Sequence, residues 1–497
     1  VAIDVSSTFV PGPKDRRALG VVVENVTIEP VDAGWRPTAR VTWLLALSTM
    51  ASVAVAIACG FTVPWTIVAG AVVGAAGTWL LVLDGAFLGS YIDRLVRIAA
   101  GTAAAGLAIM LARLRWPHPS AAPEWSTAIG VTVLAAALKI AFFGHPNVAL
   151  ADSIFQVHRA QYVEAGRYFF TSVTPRPFFE FPYAIALYVA AMPLWDLFPS
   201  ELDRVRLLRG LSIAADSLVA VAMYFALRCA WNQRAIALAF VALWPFARSP
   251  LSALCTANLT NLFGQGIFGA AMGLVGWMAV TGHVSTLALG GLTVLLSVAF
   301  LSHFSTVSVG VPLAGLVGVM LLGVGGGRRR LGVWVLAAVF AAAAVSYVAY
   351  YSRFHAVYRS TLERVVSRDG ATEERSMAAP VAVKADRWQR LLRADFGWPV
   401  LVAAAGGALW LFVRRRTPMA LVLGGWGVAW ALFALLAIFT PVEMRANLAG
   451  APFVLAVAAC GLGAMGGSSG WRAAAAVAAG LVIAWDGFTR WMHCLTG

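Results

Sequence analysis

Long apolar runs separated by short polar interruptions fill most of the chain, and each run is close to the ~20 residues that cross a bilayer as a helix. They fall at roughly 41–59, 62–83, 96–114, 125–143, 207–228, 234–250, 258–281, 284–302, 304–323, 331–350, 398–413, 417–438, 448–465 and 472–489. The pattern predicts an all-α polytopic membrane protein with about 13–14 transmembrane helices. A transmembrane barrel would show ~10-residue segments of alternating hydrophobicity instead. The segment 181–197 is apolar but short, and reads as a juxtamembrane or re-entrant helix. Residues 1–35 differ, because VVVENVTIEP alternates like a strand. This short β-like segment is expected to be the C-terminal remnant of a β-rich extracytoplasmic domain, or a tail. Residues 36–497 then form the transmembrane domain.

Composition agrees with that reading. Hydrophobic residues make up 60% of the chain and charged residues 12%, where a soluble domain carries about 25% charge. The net charge of +14 comes almost wholly from Arg, with Lys only at Lys14, Lys139 and Lys384. In a membrane protein such an excess marks loops kept on the cytoplasmic side, so nucleic acid is not an expected partner. With the N-terminus outside, Arg113 and Arg115, Arg228 and Arg234, Arg328 to Arg330, and Arg414 to Arg416 all fall inside, provided that 181–197 does not cross. Outside then lie 144–206, the loop around 251–257, His303, the long loop 351–397 and TPVEMRAN at 440–447. The five cysteines show no paired spacing, which predicts neither a zinc site nor a disulfide framework.

Chemistry-bearing residues collect on that outer side. HPNVALADSIFQVHRA begins at His145. A helix over 151–165 places Asp152, Gln156 and Arg159 on one face. A carboxylate there can serve as a general base and an Arg can hold a phosphate through its planar fork. The plainer alternative is a local Asp–Arg pair on an interfacial helix. LSHFST puts His303 at the outer end of a span, and AYYSRFHAVYR puts Tyr350, Tyr351, Arg353, His355 and Arg359 past another. The tyrosines suit an aromatic belt, while Arg353 with His355 suits a phosphate. Glu443, Arg445 and Asn447 lie between two late spans, where an Arg–Glu pair fixing the loop is the plainer reading. Asp216 falls inside a span, with a hydrogen bond to Ser212 or Ser217 as its simplest partner. The glycine runs lack the strand–turn–helix setting and the Lys of a phosphate loop.

The stretch 167–246 has a further order: an acidic loop, the Pro-bearing aromatic segment TPRPFFEFPY, a short apolar helix, a polar break and the Arg-led span DRVRLLRG. In that order, over about residues 125–280, the chain resembles the GT-C superfamily of membrane glycosyltransferases, including polyprenyl-phosphate-sugar-dependent mannosyl and aminoarabinosyl transferases. The resemblance implies that 144–206 is the first catalytic extracytoplasmic loop, with Asp152 as the catalytic acid position. It implies that Arg204, Arg206 or Arg209 is the Arg opening the next span, and that Arg445 contacts the donor phosphate, with Arg353 and Arg159 as further phosphate ligands. Many such enzymes carry a second acid directly after the first. Ser153 stands there instead, leaving His158, Glu164 and Glu180 as alternatives for the second polar group. Candidate substrate-binding residues are His158, Gln156, Glu180, His303, His355 and Glu443. The residues fix no cofactor and leave a divalent metal open. The expected partners are a polyprenyl-phosphate-linked sugar donor, a cell-envelope glycan, lipid or protein acceptor, and membrane lipids. The expected place is a bacterial plasma membrane with an extracytoplasmic active site. Two other readings stand beside this one: a lipid-linked glycan flippase or polymerase, and a non-catalytic membrane anchor of an extracytoplasmic carbohydrate-binding domain. FVPGPKDRRALGVVVENVTIEP resembles the closing strands of jelly-roll-like domains, which fits such a carbohydrate-binding unit.

Overall fold

Helices form wherever the apolar runs predict them, because a backbone placed in hydrocarbon must satisfy its own polar groups. The structure is a computed structural model that describes residues 37–496, apart from 84, 116–123, 146–147, 174–179, 232, 324–326, 367–380, 415–416, 440–445 and 467–469. The β-like segment within 1–35 lies outside the described residues, as do Glu443 and Arg445.

In chain order the helices are α1 (Ala39–Ala58), α2 (Val63–Leu83), α3 (Gly85–Arg115), α4 (Trp125–Phe143), α5 (Ser153–Glu164), α6 (Ala186–Ala191), α7 (Glu201–Trp231), α8 (Arg234–Leu243), α9 (Arg248–Cys255), α10 (Leu259–Thr281), α11 (Thr286–Phe300), α12 (Phe304–Leu322), α13 (Gly327–Ala349) and α14 (His355–Val366). They continue with α15 (Val381–Phe396), α16 (Trp398–Val413), α17 (Pro418–Phe439), α18 (Ala446–Met465) and α19 (Gly470–Thr496). Strands β1 (Thr171–Val173) and β2 (Glu180–Pro182) form one antiparallel hairpin with Ser172 opposite Phe181.

Among the described residues, 10 helical segments are long and apolar enough to cross a membrane, or 11 if the bent pair α15–α16 is one span. Shorter apolar helices occupy the remaining expected positions in α2, α11 and α17. The protein is an all-α polytopic membrane protein. The segment 181–197 is divided among β2, the 6-residue α6 and a 3₁₀ turn over Met192–Leu197. At 1.5 Å per residue its helical part is too short for the ~30 Å hydrocarbon layer.

α10 is the central helix, buried on nearly every side. Its glycines let α7 lie against it in parallel. A Cβ on Gly266 would stand 2.6 Å from the Ala215 carbonyl carbon, and one on Gly273 would stand 2.7 Å from Ala222 Cβ. Small residues at this spacing are how membrane helices gain contact without a hydrophobic driving force. α16 and α18 meet the same way through Gly407 and Gly461. α4 runs antiparallel to α7, and three polar ties fix the register. Glu124 reaches Arg228 (3.2 Å) at one end, Lys139 pairs with Asp216 (2.7 Å), and Arg209 donates to the Phe143 carbonyl (2.8 Å) at the other end. Asp216 therefore pairs with Lys139, while Ser212 and Ser217 bond to backbone carbonyls.

The alternating directions of neighbouring helices place Arg113, Arg228, Arg234 and Arg414 at one end of the bundle. α5, the hairpin, α6, His303, Tyr350 and α14 lie at the other. There α15 turns by 95° into α16. Gly397, at φ +75°, makes that corner.

Spacing misled the reading of the cysteines. Cys255 and Cys494 are disulfide-bonded, with Cα atoms 5.6 Å apart across 239 residues of sequence. Two cysteines so far apart give no local signal; the fold brings α9 beside the end of α19. Arg248 to Asp486 (2.8 Å) and Arg490 to Ser252 (2.9 Å) join the same two helices. Alkylation under denaturing, non-reducing conditions is expected to label Cys59, Cys229 and Cys460 and to spare Cys255 and Cys494. Labelling of all five would show that the bond does not form.

Candidate functional site

The turn into α5 is held from below. Arg209, 4% exposed, donates to the carbonyls of Phe143 and Ala149, each at 2.8 Å. Ala151 adopts φ +43°, an uncommon conformation for a residue with a Cβ. Asp152 follows as the residue that caps α5. It is exposed, its side chain makes no capping bond, and no ion pair reaches it among the described residues. The hydroxyl of Ser153 is fully buried, so it does not join Asp152 at the surface.

The predicted face of α5 leans into the protein at its centre. Gln156 is 2% exposed, and its amide is shared among three groups. Nε2 donates to Tyr183 Oη (3.0 Å) and weakly to the Ala257 carbonyl (3.5 Å), while Oε1 accepts from Tyr188 Oη (2.5 Å). Ala257 has φ +53°, and it and Ala151 are the two described non-glycine residues with positive φ. Both border this site. Strain concentrated in one place is a pointer to function.

Arg159 lies one turn further on. Its guanidinium carbon stands 4.8 Å from the Phe155 ring centroid, 5.5 Å from Tyr162, 5.3 Å from Phe170 and 5.9 Å from Tyr183. Cation–π contacts orient this cation, and no carboxylate pairs with it among the described residues. The plainer expectation, an Asp152–Arg159 pair, does not form.

Tyr183 is the residue that sequence reasoning missed. It directly follows β2 and touches Phe155, Phe170, Phe181, Tyr188 and the edge of His303. FFEFPY signalled aromatic content but not which ring would be central. Tyr350 Oη donates to the Tyr183 carbonyl (2.6 Å) and Tyr351 Oη to the Phe300 carbonyl (2.8 Å). Both tyrosines are buried pins of the loop, and burial pushes both phenol pKa values above the ordinary range. Arg353 stands 5.6 Å from Phe169, which stacks on Tyr350. Arg159 and Arg353 thus sit against consecutive rings, Phe170 and Phe169.

The other expected residues have separate partners. His158 meets Glu201 (2.9 Å), Glu164 meets Arg204 (3.6 Å), Glu180 accepts from Thr171 Oγ1, and His355 meets Tyr347 Oη (3.1 Å). Arg204 lies over Trp195 (4.5 Å) and Arg206 pairs with Asp203 (2.5 Å). His303 caps α12: its Nδ1 accepts the Ser305 N–H at 3.1 Å. Asn447 donates to Asp395 at 2.6 Å. Among the described residues no three His, Cys, Asp or Glu side chains gather as a metal site.

No protein-family model matches the chain, and no curated protein matches it. Among solved structures it is similar to the archaeal oligosaccharyltransferase AglB from Archaeoglobus fulgidus, in complex with an inhibitory peptide and a dolichol-phosphate. The identity is 13% and the TM-score 0.47. The match covers 74% of this chain and 55% of that one, so the chain spans about half the length of that protein.

Proposed function

We propose that the protein is a membrane glycosyltransferase that moves a sugar from a polyprenyl-phosphate donor to a cell-envelope acceptor at the extracytoplasmic end of its bundle. The observation that carries this reading is on α5. An exposed carboxylate, Asp152, and a ring-caged guanidinium, Arg159, share one short helix, and neither has an ion-pair partner among the described residues. A structural pair would neutralise itself; these two are left for other ligands.

In the mechanism Asp152 accepts the acceptor hydroxyl proton as the oxygen attacks the anomeric carbon. The bond from that carbon to the phosphate oxygen breaks, and the electron pair leaves with the lipid phosphate. Negative charge grows on that group, so Arg159 and Arg353 stabilise the transition state more than the ground state. Gln156, Tyr183 and Arg209 hold α5 from beneath. Arg445 is proposed as a third phosphate ligand. The orientation rests on the Arg-rich opposite end, which suits the cytoplasmic side. The Cys255–Cys494 disulfide at the site's end suits an oxidising compartment.

Detergent-solubilised protein is expected to bind polyprenyl phosphate, and Arg159→Met is expected to weaken that binding by about ten- to a hundredfold, the worth of a charge-assisted hydrogen bond. Equal binding by Arg159→Met and the parent protein would remove Arg159 from the site. Lack of any sugar transfer in detergent, with transport retained in vesicles, would favour the flippase reading.

A further inference from the structure

The seam between α10 and the start of α12 carries a second polar feature, separate from the surface of α5. Asn261 and Gln265 lie one turn apart on the same face of α10. They are 0% and 4% exposed. On α12, Thr306 follows the Ser305 that bonds to Asn261; it is 0% exposed, and a Cβ on Gly264 would stand 2.8 Å from its Oγ1. The helices are therefore in close contact here. Asn261 Oδ1 accepts from Ser305 Oγ at 2.9 Å, which fixes the side of α10 that faces α12.

Four polar atoms of these three residues have no partner among the described residues: Asn261 Nδ2, Gln265 Nε2, Gln265 Oε1 and Thr306 Oγ1. Each would cost about 1–3 kcal/mol if buried bare. All three residues are buried, so relief does not come from bulk solvent. The set contains two amide donors, one amide acceptor and one hydroxyl. A bare cation is repelled by the amide hydrogens and finds no free carboxylate here among the described residues; Asp216, behind Gly266, is already matched by Lys139. An anion is repelled by the amide oxygen. Water both donates and accepts, and it is small enough to lie between closely packed helices.

We infer that the α10–α12 seam is an internal hydration site, holding one or two water molecules between Asn261, Gln265 and Thr306, about the number that four orphaned groups require at two to four hydrogen bonds each. The site lies directly beneath His303 and Ser305, so the wet chain reaches from the Tyr183 cluster into the membrane-embedded part of α10. The inference does not depend on the sugar-transfer reading.

The test turns on a sign. Met matches Gln in length, and Val matches Thr in shape. If the seam were dry, Gln265→Met or Thr306→Val would remove orphaned polar atoms and raise the melting temperature. If water satisfies them, either substitution strands the water's other partners and lowers Tm by about 2 °C or more. An unchanged or raised Tm for both variants overturns the inference. Should both variants fail to fold, an electron cryo-microscopy map of the unaltered protein that resolves ordered water decides it: density within hydrogen-bonding distance of Asn261 Nδ2 and Gln265 upholds the site, and an empty seam overturns it.

Discussion

Asp152→Asn is expected to abolish sugar transfer, by about 10²–10⁴-fold, while the protein folds and binds polyprenyl phosphate as before. The amide keeps the shape of the carboxylate but cannot take a proton. Because Asp152 is exposed and makes no capping bond, nothing structural depends on its charge. The readout is transfer of labelled sugar from a polyprenyl-phosphate donor by solubilised protein, alongside melting temperature and lipid-phosphate binding. Full activity in Asp152→Asn would end the assignment. So would a parallel loss of stability, because the effect would then be one of folding. A membrane anchor would show no change in any of these measurements.

The largest effect on stability is expected at Lys139 and Asp216. Lys139→Met leaves Asp216, 1% exposed, without its partner beside apolar helices. Losing one partner of such a pair costs about 3–5 kcal/mol. Replacing both, as Lys139→Met with Asp216→Leu, is expected to restore most of that loss, since the double variant strands no charge. Thermal unfolding in detergent of the three variants measures the cycle. Simple addition of the two single losses in the double variant would show that the pair does not interact. A stable but inactive double variant would assign the pair a part in function, the common role of ionisable groups within membranes.

Local patterns were the legible part of this protein. Each apolar run became a helix, and the expected helix over 151–165 appears as Ser153–Glu164. Its face was legible too, because helical spacing alone brings Asp152 and Arg159 to one side. The inward lean of Gln156 was not, since it depends on Tyr183 and Tyr188, which arrive from another segment. Three further features were hidden for the same reason. Lys139 and Asp216 are 77 residues apart, Cys255 and Cys494 are 239 apart, and Tyr350 finds the Tyr183 carbonyl across 167 residues. Periodicity reports which side of an element is apolar; it does not report which element will come to lie against it. The hairpin at 171–182 escaped notice because three-residue strands are too short to show alternation.

The separation of Lys139 from Asp216 also sets the order in which the two charges are made. α4 leaves the ribosome long before α7, and its ammonium must enter the translocon with no counterion waiting. At ordinary synthesis rates, 77 residues occupy on the order of ten seconds. During that interval Lys139, only four residues from the end of α4, can extend toward the headgroups and delay full insertion until Asp216 emerges. The buried charge of the fourth helix thus finds its counterion only in a helix made 77 residues later.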